Sequence, residues 1–149
     1  MVDDPDYTRW EQSVPQTIRG DSLWKLKVYR MALYIADISW NDVTMLSQDR
    51  RTIDVSDQLY RSLGSISANI AEGYSKSSGK DRARFYEYAL GSAREARDWY
   101  FKSRHILAQT IIEHRLDYLS QIIRLLLTIL PDQRQIYIKE DAIPYTTDE

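Results

Sequence analysis

The stretch Gln58-Leu-Tyr-Arg-Ser-Leu-Gly-Ser-Ile-Ser-Ala-Asn-Ile-Ala-Glu-Gly73 decides the fold, because it carries two different stripes at one helical period. Leu59, Leu63, Ile66 and Ile70 recur every three or four residues and form an apolar stripe. Gly64, Ala68 and Ala71 form a second stripe, roughly opposite the first at about 100° per residue. A helix built this way presses one face into a core and lets another backbone approach the other. Ala68→Trp is therefore expected to overpack a close helix approach, by about 1–3 kcal/mol. Gly73 reads as the C-cap glycine that ends the helix. Further on, Gly91-Ser92-Ala93-Arg94-Glu95 brings small and polar residues to another helix in the same way.

Working outward, residues 1–20 contain Pro5, Pro15 and Gly20 and lack helical periodicity, so they read as an arm that Trp10, Val14 and Ile18 anchor to the body. Asp21 or Ser22 can cap a first helix running to about Met45. That helix is two-faced: Trp24, Val28, Met31, Ile35 and Ile38 make one stripe, and Leu26, Tyr29, Leu33, Ala36 and Trp40 another. Both faces can be satisfied only if the arm or another subunit covers one of them, which makes oligomerisation the leading expectation.

The second helix is expected from near Ser56 to Gly73, and the third from Asp81 to about Leu107 or Ala108. The core face of the third is read as Phe85, Tyr88, Ser92, Ala96, Trp99, Ser103 and Ile106. A fourth begins between Ile111 and His114 and stops at Leu130-Pro131, since proline disfavours an α conformation at the residue before it and cannot donate to the ladder. Leu116, Leu119, Ile122, Ile123, Leu126 and Leu130 supply its inner stripe. Gln135–Lys139 alternates like a short strand but has no partner strand, so it reads as tail. The expected class is all-α, an antiparallel up-down-up-down four-helix bundle over 21–131, with an N-terminal arm over 1–20 and an acidic C-terminal tail over 132–149.

The two signature stretches resemble the Q-L-x-R-x-x-x-S-I-x-x-N-I-A-E-G and G-S-x-x-E motifs of the four-helix-bundle proteins encoded in intervening sequences of 23S ribosomal RNA genes. The resemblance runs from about Trp24 to Leu130. Its signature positions are Gly64, Ser65, Asn69, Glu72, Gly73, Gly91, Ser92 and Glu95. It implies a non-enzymatic, ring-like homopentamer. A related branch comprises the accessory variability determinant proteins of diversity-generating retroelements, whose products bind nucleic acid and a reverse transcriptase.

The chain of 149 residues is one domain's worth. With no cysteine, it has no disulfide, thiolate metal site or cysteine nucleophile, which fits a reducing compartment; a cytoplasmic location is expected. Met1 leads into Asp3, Asp4 and Asp6, the wrong charge for a secretory signal, and the apolar run Leu125–Leu130 is too short to span a bilayer. The net charge of −2 is unevenly spread: residues 1–22 and 131–149 each hold five acids and two bases, which leaves 16 bases against 12 acids between them. The body is mildly basic beneath acidic ends, a balance that permits a nucleic-acid partner.

Chemistry is thinly supported. Glu72 and Glu95, near Ser65, Asn69 and Ser92, are the candidate carboxylate pair, and they read better as polar groups serving a tight helix pair. Bundles that bind two irons offer Glu-x-x-His, but Lys102 and Ile111 stand three residues before His105 and His114. No G-x-S-x-G elbow occurs, and Gly73–Lys80 lacks the strand that precedes a phosphate-binding loop. No catalytic residue, metal, cofactor, small-molecule substrate or membrane is expected.

Two surfaces remain. Lys76, Lys80, Arg82 and Arg84 cluster at the turn between the second and third helices, where they can ring the mouth of an oligomer and contact structured RNA. Tyr86, Arg94, Arg97, Tyr100 and Arg104 are placed on the outer face of the third helix, suited to phosphate and base stacking or to a subunit or partner interface. The expected function is an oligomeric scaffold that binds structured RNA or an RNA–protein complex. The alternative is a protein-interaction adaptor, such as a reverse-transcriptase accessory protein, with no direct nucleic-acid contact.

Overall fold

The computed structural model describes the backbone of residues 4–141 and the side chains of residues 4–133. The described chain is all-helical. It opens with α1 (Pro5–Ser13), α2 (Gln16–Arg19) and a 3-10 turn (Ser22–Lys25), followed by four long helices: α3 (Lys27–Ser47), α4 (Ile53–Tyr74), α5 (Gly79–Lys102) and α6 (Gln109–Asp141). α4 packs against α3 and α5, and α5 against α6, while α3 and α6 touch far less.

The apolar stripe of α4 lies in the core as its periodicity requires, with Leu59, Leu63, Ile66 and Ile70 fully buried. Met31 and Ile35 of α3 and Leu119, Ile122 and Leu126 of α6 close around them. Each such side chain contributes about 1.5–3 kcal/mol by leaving water. Ser78 caps α5, its hydroxyl accepting from the Asp81 amide at 3.2 Å.

The arm differs from the expectation. It is helical, because Asp4 accepts from the Asp6 amide and Pro5 occupies the first turn, where a missing N–H costs nothing. Val14 is buried and Trp10 packs on the body, donating its indole N–H to Asp37 Oδ2 at 2.7 Å; Ile18 stays exposed. The first long helix is interrupted at Leu26, whose extended backbone separates the 3-10 turn from α3; Asp21 caps that turn by accepting from the Leu23 amide.

Three boundaries also move. Gly73 does not end α4: it is buried one residue before the end, and no glycine in the described residues has positive φ. α5 stops at Lys102, and residues 103–107 form turns. α6 runs through Pro131. Proline removes the donor to the Leu127 carbonyl, but Leu127 and Pro131 are both exposed, so water can take that bond while buried Leu130 holds the register. The first part of the expected tail, 132–141, is therefore helical; 142–149 lie outside the described residues.

The face of α5 is the largest correction. Ala83, Tyr86, Ala89, Ala93, Ala96 and Tyr100 are buried, whereas Tyr88 is exposed and Phe85 only half-buried. Ala96 and Ser103 of the expected face are fully buried, but Phe85, Tyr88, Ser92 and Trp99 each stand one residue, about 100° of rotation, from the buried Tyr86, Ala89, Ala93 and Tyr100. Alanines suit the inner face because they let α4 and α6 come close, while the Tyr86 ring lies against Gly73 of α4 and the Tyr100 hydroxyl reaches Asp42 of α3.

Candidate functional site

The signature residues of α4 and α5 meet in part. Asn69 donates to the Ser65 carbonyl and to Ser65 Oγ, both at 2.9 Å, and Ser92 Oγ donates to Ser65 Oγ at 3.0 Å, a polar chain linking the two helices. Gly73 serves close approach: a Cβ there would stand 2.9 Å from Phe85 Cβ and 3.0 Å from the Tyr86 ring. Gly64, Gly91 and Ala68 do not. All three are exposed, and a Cβ at either glycine meets nothing within 4 Å, so the small-residue stripe of α4 is an open face of the chain. Glu72 and Glu95 are exposed, and among the described residues no three acids, histidines or cysteines converge to hold a metal.

At the α4–α5 turn the four cations take different roles. Lys76 and Arg84 both face the Phe85 ring, at 5.1 and 5.3 Å from its centroid, and Arg84 lies 3.7 Å from Asp81. Arg82 is structural: its guanidinium donates to Gln133 Oε1 at 2.6 Å and to the carbonyls of Lys76 and Ser77. Lys80 is exposed.

The outer patch expected on α5 does not assemble. Tyr86 and Tyr100 are in the core, and burial raises both phenols above their ordinary range. Arg97 is half-buried, donating to Ser120 Oγ of α6 at 3.3 Å, while Arg94 and Arg104 are exposed. Arg104 stacks on exposed Phe101, 4.2 Å from its centroid.

Two features escaped the sequence. Asp42 of α3 is buried, and its Oδ2 accepts from the Tyr100 hydroxyl at 2.7 Å and from Arg115 Nε at 2.8 Å, tying α3, α5 and α6 together. Arg115 Nη1 also donates to His114 Nδ1 at 2.7 Å, which places the neutral imidazole's proton on Nε2. The second feature is the surface shared by α3 and α4. Trp40, 63% exposed, meets half-exposed Tyr60 edge-on at 5.9 Å, and a groove of about 430 Å³ lined by Val14, Ile18, Leu33, Ala36, Tyr60 and Gly64 continues the patch toward the arm. The second stripe of the two-faced helix is thus covered by the arm at one end and bare at Trp40.

Residues 24–128 match the family model described as 23S rRNA-intervening sequence protein. A solved structure from Bacteroides thetaiotaomicron, described as a protein of unknown function from the S23 ribosomal protein family, is 25% identical with a TM-score of 0.63, over 69% of this chain and 97% of that one. No curated protein matches. Among the described residues no helix is long and apolar enough to cross a membrane.

Proposed function

The chain belongs to the 23S rRNA-intervening sequence protein family, and we propose that it is a non-catalytic, self-associating scaffold of the cytoplasm. In this reading α3 to α6 form an antiparallel four-helix bundle, and copies assemble through the α3–α4 face into a closed ring, five by resemblance to the family. The observation that carries it is Trp40, an indole 63% exposed beside Tyr60 and the bare Gly64–Ala68 surface. A large aromatic beside small residues can seat an anchor in a recess of the next copy. In a closed ring that contact is heterologous, Trp40 of one copy meeting a different patch, the small-residue surface, of its neighbour.

Each copy then presents its α4–α5 turn to solvent. Lys76, Lys80 and Arg84 supply the charge that would grip the phosphates of structured RNA, and Arg82 fixes the turn's shape through Gln133 and two carbonyls. Affinity for a structured ribosomal RNA fragment should fall steeply with salt, and each of the three cations replaced by alanine should lower the log–log salt slope by about 1. Binding no tighter than to an inert polyanion would remove RNA from the account. The exposed Phe101–Arg104 pair favours a second reading, in which the scaffold recruits a partner protein such as a reverse transcriptase. Phe101→Ala would abolish capture of that partner and leave RNA affinity unchanged.

A further inference from the structure

The outer surface of α5 beside the α4–α5 turn carries an aromatic pair that a grip on phosphates alone leaves unused. Tyr88 is 54% exposed and stands perpendicular to the Phe85 ring, with 5.7 Å between centroids. Phe85 is half-buried and firmly seated, since its Cβ lies where a side chain at Gly73 would have to stand. Lys76 Nζ and the Arg84 guanidinium lie over the Phe85 ring, at 5.1 and 5.3 Å from its centroid. Two cations and an open tyrosine ring are thus gathered around one fixed side chain. Each cation is within two ring contacts of Tyr88, a span that a single nucleotide can bridge.

The next turn of α5 is bare. Gly91 follows Tyr88 by three residues on the same face, is exposed, and would present a Cβ to nothing within 4 Å. Helical side chains lean toward the N-terminus, so the Tyr88 ring covers the turn it shares with Arg84 and Phe85 and leaves its Gly91 side open. Charge gives this surface a direction. Lys76 and Arg84 lie on the turn side, Arg84 with Asp81 at 3.7 Å, while exposed Glu95 stands one helical turn beyond Gly91. A phosphate is favoured at the turn and disfavoured past the glycine, and the shelf between them suits a flat, uncharged group.

On the premise that the basic turn grips RNA, we propose that this surface takes an unpaired base of that RNA, stacked on Tyr88 over the Gly91 shelf, with its flanking phosphates on Lys76 and Arg84. Every base has a π-face, so such stacking tolerates any sequence. Inside an A-form duplex those faces are covered by neighbouring base pairs, and the deep major groove is closed to side chains. The tyrosine therefore engages only a loop, a bulge or another interruption of pairing. The ligand is a structured RNA with splayed bases beside its helix, and uninterrupted duplex is the poorer partner.

Fluorescence-anisotropy titrations of the full chain test this, with an RNA duplex interrupted by an internal bulge of unpaired nucleotides and with the same duplex fully paired. The expected result is that the bulged RNA binds about tenfold tighter, and that Tyr88→Ala and Gly91→Leu each erase the advantage. The salt slope and the affinity for the paired duplex should stay as in the parent. Tyr88→Phe keeps the ring and should keep the advantage. Tyr88 and Gly91 are both exposed, so these variants leave the core intact, and circular dichroism should show the parent's helicity. Equal binding of the two RNAs by the parent, or an advantage that survives Tyr88→Ala, would overturn the proposal and leave RNA binding by the turn standing. Binding of neither RNA more tightly than an inert polyanion would remove both. A fall in native mass in Tyr88→Ala would also overturn the proposal, by assigning the ring to a contact between copies.

Discussion

The Tyr100 hydroxyl donates to Asp42 Oδ2 at 2.7 Å, joining α5 to α3 across the core at a carboxylate that also holds Arg115 of α6. One buried acid thereby joins three of the four long helices. Its charge is tolerable there only because a guanidinium and a phenol satisfy it together.

Tyr100→Phe should cost about 1.5–3 kcal/mol, the worth of a hydrogen bond to a buried charge. Arg115→Met should cost more, about 3–5 kcal/mol, because it leaves Asp42 uncompensated. Urea denaturation of both variants checks the order; equal, small losses would show that the carboxylate is open to water.

Gly73→Ala should destabilise the chain by about 1–3 kcal/mol, since the new methyl meets Phe85 Cβ at 2.9 Å and the Tyr86 ring at 3.0 Å. Gly91→Ala should stabilise it by about 0.5–1 kcal/mol, the gain of alanine over glycine in an open helix position. The two melting temperatures should therefore move in opposite directions, and parallel shifts would contradict the assignment of Gly73 to close packing.

Ala68→Trp should leave the stability of the single chain within about 0.5 kcal/mol, because Ala68 is exposed. It should nonetheless break self-association, if the bare α4 face is where copies meet. A variant that melts earlier but assembles normally would reverse both statements.

Acid should weaken the fold through His114. Burial, followed by the Arg115 guanidinium, holds its imidazole below the ordinary value, against the opposite pull of Asp4, Asp117 and Asp42. The unfolded chain then binds the proton more readily, so stability present above about pH 6.5 is lost as the pH falls toward the folded value. His114→Gln should flatten that part of the stability profile measured by denaturant titration, and an unchanged profile would place the acid sensitivity elsewhere.

Much of this architecture was legible in the sequence, and the failures share a cause. The α4 stripe of Leu59, Leu63, Ile66 and Ile70 was readable because large aliphatics recurring at helical period have one stable place to go. On α5 the same reasoning favoured Phe85 and Tyr88 over Ala89 and Ala93, because side-chain size was taken for burial. Close helix packing inverts that ranking, and the position of a neighbouring helix is not a local property of the chain. Pro131 misled for a similar reason: the rule against proline in a helix concerns a carbonyl bond, and here that carbonyl belongs to exposed Leu127. The Asp42–Tyr100–Arg115 network was invisible because its members stand 58 and 73 residues from Asp42 and no local spacing links them. On the α4–α5 turn, the cation cluster was legible as composition, whereas the structural duty of Arg82 was not.

The most direct measurement is the native mass of the purified full chain beside that of Gly64→Arg, which places a long charged side chain on the bare α4 face without touching the core. The account predicts a closed homo-oligomer for the parent, five copies by family resemblance, and a folded monomer for the variant. A parent that is monomeric at micromolar concentration, or a variant that assembles like the parent, would contradict it.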